Sequence, residues 1–136
     1  RYFNLKRLEN AQQKSTLEDE EYKQALEAML SAFRENGIDK VMDQNNLDAI
    51  VSPTGSPAWK TDLINGDNYH LSTSVYAALS GYPNRILPLG FVEDLPVGLS
   101  FYGRAWSEPV LIELAFAYEQ STGHRAKPSF LHSDGI

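Results

Sequence analysis

Over Val97 to Glu119 the apolar pattern changes period, from two residues to about 3.6, and that switch constrains the fold more than any other feature. Val97, Leu99 and Phe101 alternate with Gly98, Ser100 and Tyr102, which predicts a strand with one strongly apolar face. After Gly103 the spacing becomes helical. Ser107 is a predicted N-cap, Pro109 lies in the first turn, and Trp106 and Leu111 stand at the two hydrophobic-staple positions. Leu111, Leu114, Ala115 and Tyr118 make one stripe, widened by Ile112 and Phe116, and Gly123 ends the helix.

The residues before this switch fall into order around it. Gly81 and Pro83 close a short helix that Ser72 is expected to cap, with Val75 and Leu79 on one face. Asn84 to Phe91 reads as a strand, and Pro88 puts it at a sheet edge or interrupts it there. Val92 to Pro96 is short enough to join it to the next strand as an antiparallel pair.

Further upstream, Leu47 to Ser52 carries the continuous apolar run Ala49-Ile50-Val51 before Pro53, as expected of a strand covered on both faces. Residues 53–72 form a long Pro-, Gly- and Asn-rich loop just past that strand's carboxyl end, where open α/β sheets bind ligands. Arg1 to Lys14 is a short helix or lead-in. The spacings of Ser15 with Glu18 and of Thr16 with Asp19 suit a capping box, and Glu18 to Glu21 match the helix dipole. Tyr22, Leu26, Met29, Leu30 and Phe33 form that helix's stripe. Asn36-Gly37 is expected to end it, with Asp39 capping a second short helix that stops in Gln44-Asn45-Asn46.

A chain of 136 residues suits one domain, with residues 1–14 as lead-in and 124–136 as a surface tail. The net charge of −6 and scattered basic residues argue against nucleic acid as a partner. There is no cysteine, so disulfides, thiolate metal sites and a Cys nucleophile are excluded. No apolar run reaches the length of a membrane helix, so no membrane partner is expected, and the first residues do not resemble a signal peptide. A cytoplasmic location is the expectation. The start at Arg1 is what a processed product, a trimmed chain or a fragment would show.

Few residues suggest chemistry of their own. His70, Asp67 and Ser72 are near in sequence, yet a Ser–His–Asp relay is defined by geometry, and no G-x-S-x-G elbow is present. His70, His124 and His132 are widely separated, and Asp62, Asp67 and Asn68 lack EF-hand spacing, so no metal is expected. Gly98 and Gly103 flank a strand without forming a phosphate loop, and no cofactor is expected.

An ordered set of short motifs carries more. Gly81-Tyr82-Pro83, Pro88-Leu89-Gly90-Phe91, Leu95-Pro96-Val97-Gly98-Leu99-Ser100, Gly103-Arg104-Ala105-Trp106-Ser107-Glu108 and Ala117-Tyr118-Glu119-Gln120 together resemble the carboxyl end of the amidase signature family. Leu47 to Thr54 is similar to that family's strand and Pro-Thr turn, and Asn65-Gly66-Asp67 and Asn4 to Gln13 resemble one amidase branch. The resemblance implies an α/β fold, with a mixed sheet covered by amphipathic helices, belonging to a larger enzyme. It also implies amide hydrolysis by a Ser nucleophile, a second Ser with a cis peptide and a Lys, set in a Gly- and Ser-rich amino-terminal half. This chain has no Gly-Gly pair and no Lys opening such a stretch, so no catalytic residue is carried over. One departure is Asn84-Arg85 after the Tyr-Pro pair, which alternation places with Arg85 on the face of Leu87, where the family has core.

The expected share of this chain is therefore framework and part of an acyl pocket. Thr54, Trp59, Asp67, Asn68, Ser72 and Ser74 are the substrate-binding candidates. Its expected partners are the missing amino-terminal half and a small amide substrate, and apolar faces left open imply self-association of the isolated chain. A stand-alone binding or assembly module that kept the fold and lost the chemistry is the alternative, and a self-sufficient hydrolase a third.

Overall fold

The structure, a computed structural model, describes residues 5–14 and 16–128. Its centre is β3 (Leu95–Tyr102), which pairs antiparallel with β1 (Ile50–Pro53) on one side and β2 (Asn84–Val92) on the other. The architecture is α/β, and both pairings in this segment are antiparallel. The helices are α1 (Lys6–Gln12), α2 (Glu20–Phe33), α3 (Lys40–Asn45), α4 (Ser74–Ser80) and α5 (Glu108–Thr122).

The alternation in β3 separates two small cores, one on each face of the sheet. Leu87, Phe101, Leu111 and Ala115 pack under α5, joined by Ala49, Leu99 and Tyr118. On the other face Tyr102 packs with Ile38 and Met42, joined by Ile50 and Tyr82. The smaller side chains of β3 are not on a solvent face, since Ser100 is 0% exposed.

β2 and β3 meet in a tight turn at Glu93-Asp94, where Glu93 takes φ +44°, so Leu95 and Pro96 belong to β3 and not to a connection. Among the described residues β2 is an edge strand, and its register also slips between Pro88 and Gly90, which is what a residue without an N–H produces in a ladder. Arg85 avoids the burial that alternation implied because it sits at the exposed rim of the α5 face. β1 departs from expectation. Val51 is 50% exposed, because among the described residues β1 has a neighbour on one side only.

The helical region contains the largest correction. Asn36-Gly37 does not end α2; the chain runs through a π turn, Arg34–Asp39, directly into α3. Glycine permits this tighter approach, since a Cβ at Gly37 would lie 2.7 Å from the Ala32 carbonyl oxygen. Asn36 Nδ2 donates to the Ser31 carbonyl at 3.3 Å, supplying a bond to the disturbed turn. Asp39 is accordingly helical (φ −61°, ψ −46°) and caps nothing. The helix stops where expected, with Asn46 left-handed at φ +51°. At the start of α2 the cap is Asp19, whose carboxylate accepts from the Glu21 N–H at 2.9 Å, while Ser15 lies outside the described residues. Of the α2 stripe, Leu26, Met29, Leu30 and Phe33 are half-buried and Tyr22 is exposed.

Smaller corrections concern α4 and α5. Thr73, not Ser72, precedes α4, because Ser72 is held in an antiparallel bridge with Gly55. The buried face of α4 is Ala77 and Ser80, with Val75 exposed and Leu79 half-buried. Gly81 closes it at φ +69°. Ser107 precedes α5, but its hydroxyl donates back to the Arg104 carbonyl at 2.8 Å and makes no cap bond. Trp106 is 89% exposed at φ +63°, so the staple to the buried Leu111 is absent. Leu111, Ala115 and Tyr118 face the sheet, whereas Leu114, Ile112 and Phe116 are exposed. Gly123 ends the helix at φ +59°. Of the tail, residues 124–128 are exposed and the rest lies outside the described residues.

Candidate functional site

The loop past the end of β1 begins tied to the sheet. The Thr54 N–H donates to the Gly98 carbonyl at 2.7 Å, and its Oγ1 lies 2.8 Å from Ser100 Oγ. Gly98 makes room for this, since a Cβ there would lie 2.9 Å from Thr54 Oγ1. The returning end of the loop is clamped at the same place. The Thr73 hydroxyl donates to the Pro53 carbonyl at 2.8 Å, and its N–H donates to the Thr54 carbonyl at 3.1 Å. Thr73 and Ser100 were not among the candidates, and nothing in a Ser/Thr-rich stretch marks the hydroxyl that will be buried.

Between those clamps the loop is folded on itself. Asp62 accepts from the N–H groups of Ile64 and Asn65 at 2.9 and 2.8 Å and from Asn65 Nδ2 at 2.8 Å. The two Asn65 bonds and the Ile64 bond hold its carboxyl below the usual carboxylate value, the Asn65 N–H contributing most. The Asp-x-x-Asn spacing was the available signal for this turn.

The Trp59 indole N–H donates to Asp67 Oδ1 at 3.3 Å, and its ring meets Tyr69 edge to face at 6.2 Å between centroids. Trp59, Asp67 and Asn68 line one open cavity of about 400 Å³ with Lys60, Asp62, Asn65 and Gly66. Ser72 and Ser74 form a separate pair, Oγ to Oγ 2.9 Å. The structure thus brings Trp59, Asp67 and Asn68 together, pairs Ser72 with Ser74, and bonds Thr54 into the sheet. Asp67 is bonded to Trp59 and Ser72 to Ser74; neither is bonded to His70. Beside Thr54, the Ser56 hydroxyl is buried with no hydrogen-bond partner among the described residues. Among the described residues no group of three or more His, Asp or Glu side chains is arranged to hold a metal ion.

A three-stranded sheet with helices on both faces and a clamped polar loop at the end of one edge strand is an α/β framework. The family model for amidases matches residues 2–112, and the chain belongs to the amidase family. It is 42% identical to a probable amidase of Arabidopsis thaliana over 113 residues, 82% of this chain and 19% of that protein. Among solved structures it superposes on the peptide amidase of Stenotrophomonas maltophilia with a TM-score of 0.86 and 38% identity, covering 96% of this chain and 26% of that chain. A peptide amidase bound to the competitive inhibitor chymostatin gives 0.90 and 40% identity, covering 95% and 26%. The chain therefore spans about a fifth to a quarter of the relatives it matches. Among the described residues no helix is long and apolar enough to cross a membrane.

Proposed function

We propose that this chain is the carboxyl-terminal portion of an amidase that hydrolyses carboxylic amides through a Ser, cis-Ser and Lys device lying outside it. The observation that carries the reading is the match of 95% of this chain to 26% of a peptide amidase. In this reading the chain is one domain of framework, inactive alone, whose partner is the amino-terminal catalytic half in a cytoplasmic enzyme. The reaction is attack of the Ser hydroxyl on the amide carbonyl, release of the amine, and hydrolysis of the acyl-enzyme by water.

The chain's share in binding falls to the loop. Trp59 offers an aromatic wall, Asp67 holds the indole in place, and Asn68 contributes amide donors and acceptors to the same cavity. Thr54 fixes the strand end from which the loop departs, and the Ser72–Ser74 pair and the unsatisfied Ser56 hydroxyl add polar groups at its return. Replacing Trp59 by Ala in the intact enzyme raises KM or alters substrate selectivity. Unchanged KM and selectivity would remove Trp59 from the pocket. The purified chain hydrolyses no simple amide; turnover by it alone would refute the reading.

Isolation also leaves apolar surface uncovered: Ile112 and Phe116 on α5, Phe91 and Val92 at the hairpin, and Trp106. The isolated chain self-associates through such surface, and a monomer in sedimentation velocity at high concentration would contradict this.

A further inference from the structure

Two Asn-Gly pairs occur in the chain, Asn36-Gly37 and Asn65-Gly66, and they sit in opposite surroundings. An asparagine followed by glycine can lose its side-chain amide. The glycine nitrogen gives up its proton and attacks the Asn Cγ, so a new C–N bond forms and the Cγ–Nδ2 bond breaks. Nδ2 leaves with that proton as ammonia, and a five-membered imide remains. Water then adds to either imide carbonyl and opens the ring to aspartate or isoaspartate. Glycine favours the reaction because no Cβ shields the attacking nitrogen and the main chain is free to rotate into the required conformation.

Asn36-Gly37 is closed to this chemistry. It lies inside the π turn, within a continuous helical run, and a Cβ at Gly37 would stand 2.7 Å from the Ala32 carbonyl oxygen. The main chain there has no room to turn. The Asn36 amide is held as well, its Nδ2 donating to Ser31 Oγ at 3.2 Å. Asn65-Gly66 is open. Both residues are exposed, Gly66 stands at φ +84°, and a Cβ on it would meet nothing within 4 Å.

One residue restrains the open pair. The Asp62 carbonyl accepts from the Gly66 N–H at 3.1 Å, which holds the proton that has to leave. Its carboxylate accepts from the Asn65 N–H at Oδ1 and from Asn65 Nδ2 at Oδ2, each at 2.8 Å, which holds the side chain that has to swing. The same negative charge opposes the anionic nitrogen that the attack requires.

We infer that Asn65 is the site of deamidation in this chain, and that Asp62 sets its rate by holding both reacting groups. The product places a third carboxylate in the cavity beside Asp62 and Asp67, and the isoaspartate form also lengthens the main chain by one carbon.

The intact enzyme, aged at mildly alkaline pH and mapped by mass spectrometry after digestion at acid pH, tests this. Aspartate and isoaspartate accumulate at Asn65, more slowly than in a synthetic peptide of residues 60–70, while Asn36 remains an amide. Asp62→Ala speeds conversion at Asn65 about tenfold, the factor implied by loss of a bond to a charged group, and leaves Asn36 unchanged. Asp62→Asn keeps one acceptor oxygen and gives a smaller rise. Conversion at Asn36 as fast as at Asn65 overturns the inference. So does a rate at Asn65 that neither variant changes, or one that already equals the peptide's in the unaltered enzyme. Equal acceleration at both asparagines reports a general loosening of the fold and overturns it too.

Discussion

The Tyr82 hydroxyl donates to Asp39 Oδ2 at 2.7 Å, joining residues 43 apart in sequence, while the Arg34 guanidinium lies 5.5 Å from the centre of the same ring. Arg34 Nε in turn donates to the Ser80 carbonyl at 2.6 Å. The π turn is thereby tied to the carboxyl end of α4, which satisfies a helix-end carbonyl and stacks a cation on an aromatic face.

Removing that tie has a defined cost. Tyr82→Phe destabilises by roughly 1 kcal/mol, below the usual range for a hydrogen bond to a charged group, because the site is only half-buried. Burial first, then the bond to Asp39 and its negative charge, raise the Tyr82 phenol above its ordinary value of 10.0. A raised phenol favours the folded state while it is protonated, so its contribution is intact below pH 10.0 and lost as pH climbs through the raised value. Burial moves Tyr102 in the same direction. Urea midpoints measured from neutral pH to above pH 10 fall on the alkaline side, and the fall is smaller in Tyr82→Phe.

Leu111 is 1% exposed and stands between Leu87, Phe101 and Ala115. Leu111→Ala costs about 2–5 kcal/mol through lost transfer energy and the cavity left behind. Chemical denaturation checks this, and the same change at exposed Ile112 leaves the midpoint of the isolated chain nearly unchanged.

Gly37→Ala sets a methyl 2.7 Å from a main-chain carbonyl that cannot swing away. It is expected to cost about 1–3 kcal/mol and to straighten or break the helix at the π turn. Thermal melts give the first quantity, and hydrogen exchange across residues 32–40 gives the second.

Asp62→Ala removes the acceptor for three bonds within the loop. Proteolysis between residues 60 and 68 accelerates while cleavage elsewhere does not. In the unaltered chain the Asp62 carboxyl lies below its ordinary value of 3.8, so the ordering is present above that pH and is lost as pH falls through the lowered value. Amide shifts of Ile64 and Asn65 followed by NMR on acidification would report it.

Much of this molecule can be read from local rules. Gly81, Gly123 and Asn46 stop helices where their tolerance of positive φ says they should, and the alternation of Leu99 and Phe101 picks out the α5 core. The family resemblance was equally legible, because it resides in short ordered motifs and not in distances. Local rules failed where a group had a distant competitor. Ser72 does not cap α4 because Gly55 holds it in a bridge, and Asn36-Gly37 does not break its helix because Arg34 and Asp39 find partners on α4 and at Tyr82.

The candidate site divides in the same way. That a polar loop follows β1 is a property of sequence; that Trp59 meets Asp67 and Tyr69, while Thr54 turns back to Ser100, belongs to the folded loop. Sequence alone determined most of the elements, several of their ends and the family, since these depend on torsional preference and on periodicity within a few residues. Which strands form the edges of the described sheet, and which hydroxyls are buried, was decided only by tertiary structure, because hydrogen-bond partners and burial are set by neighbours far away along the chain.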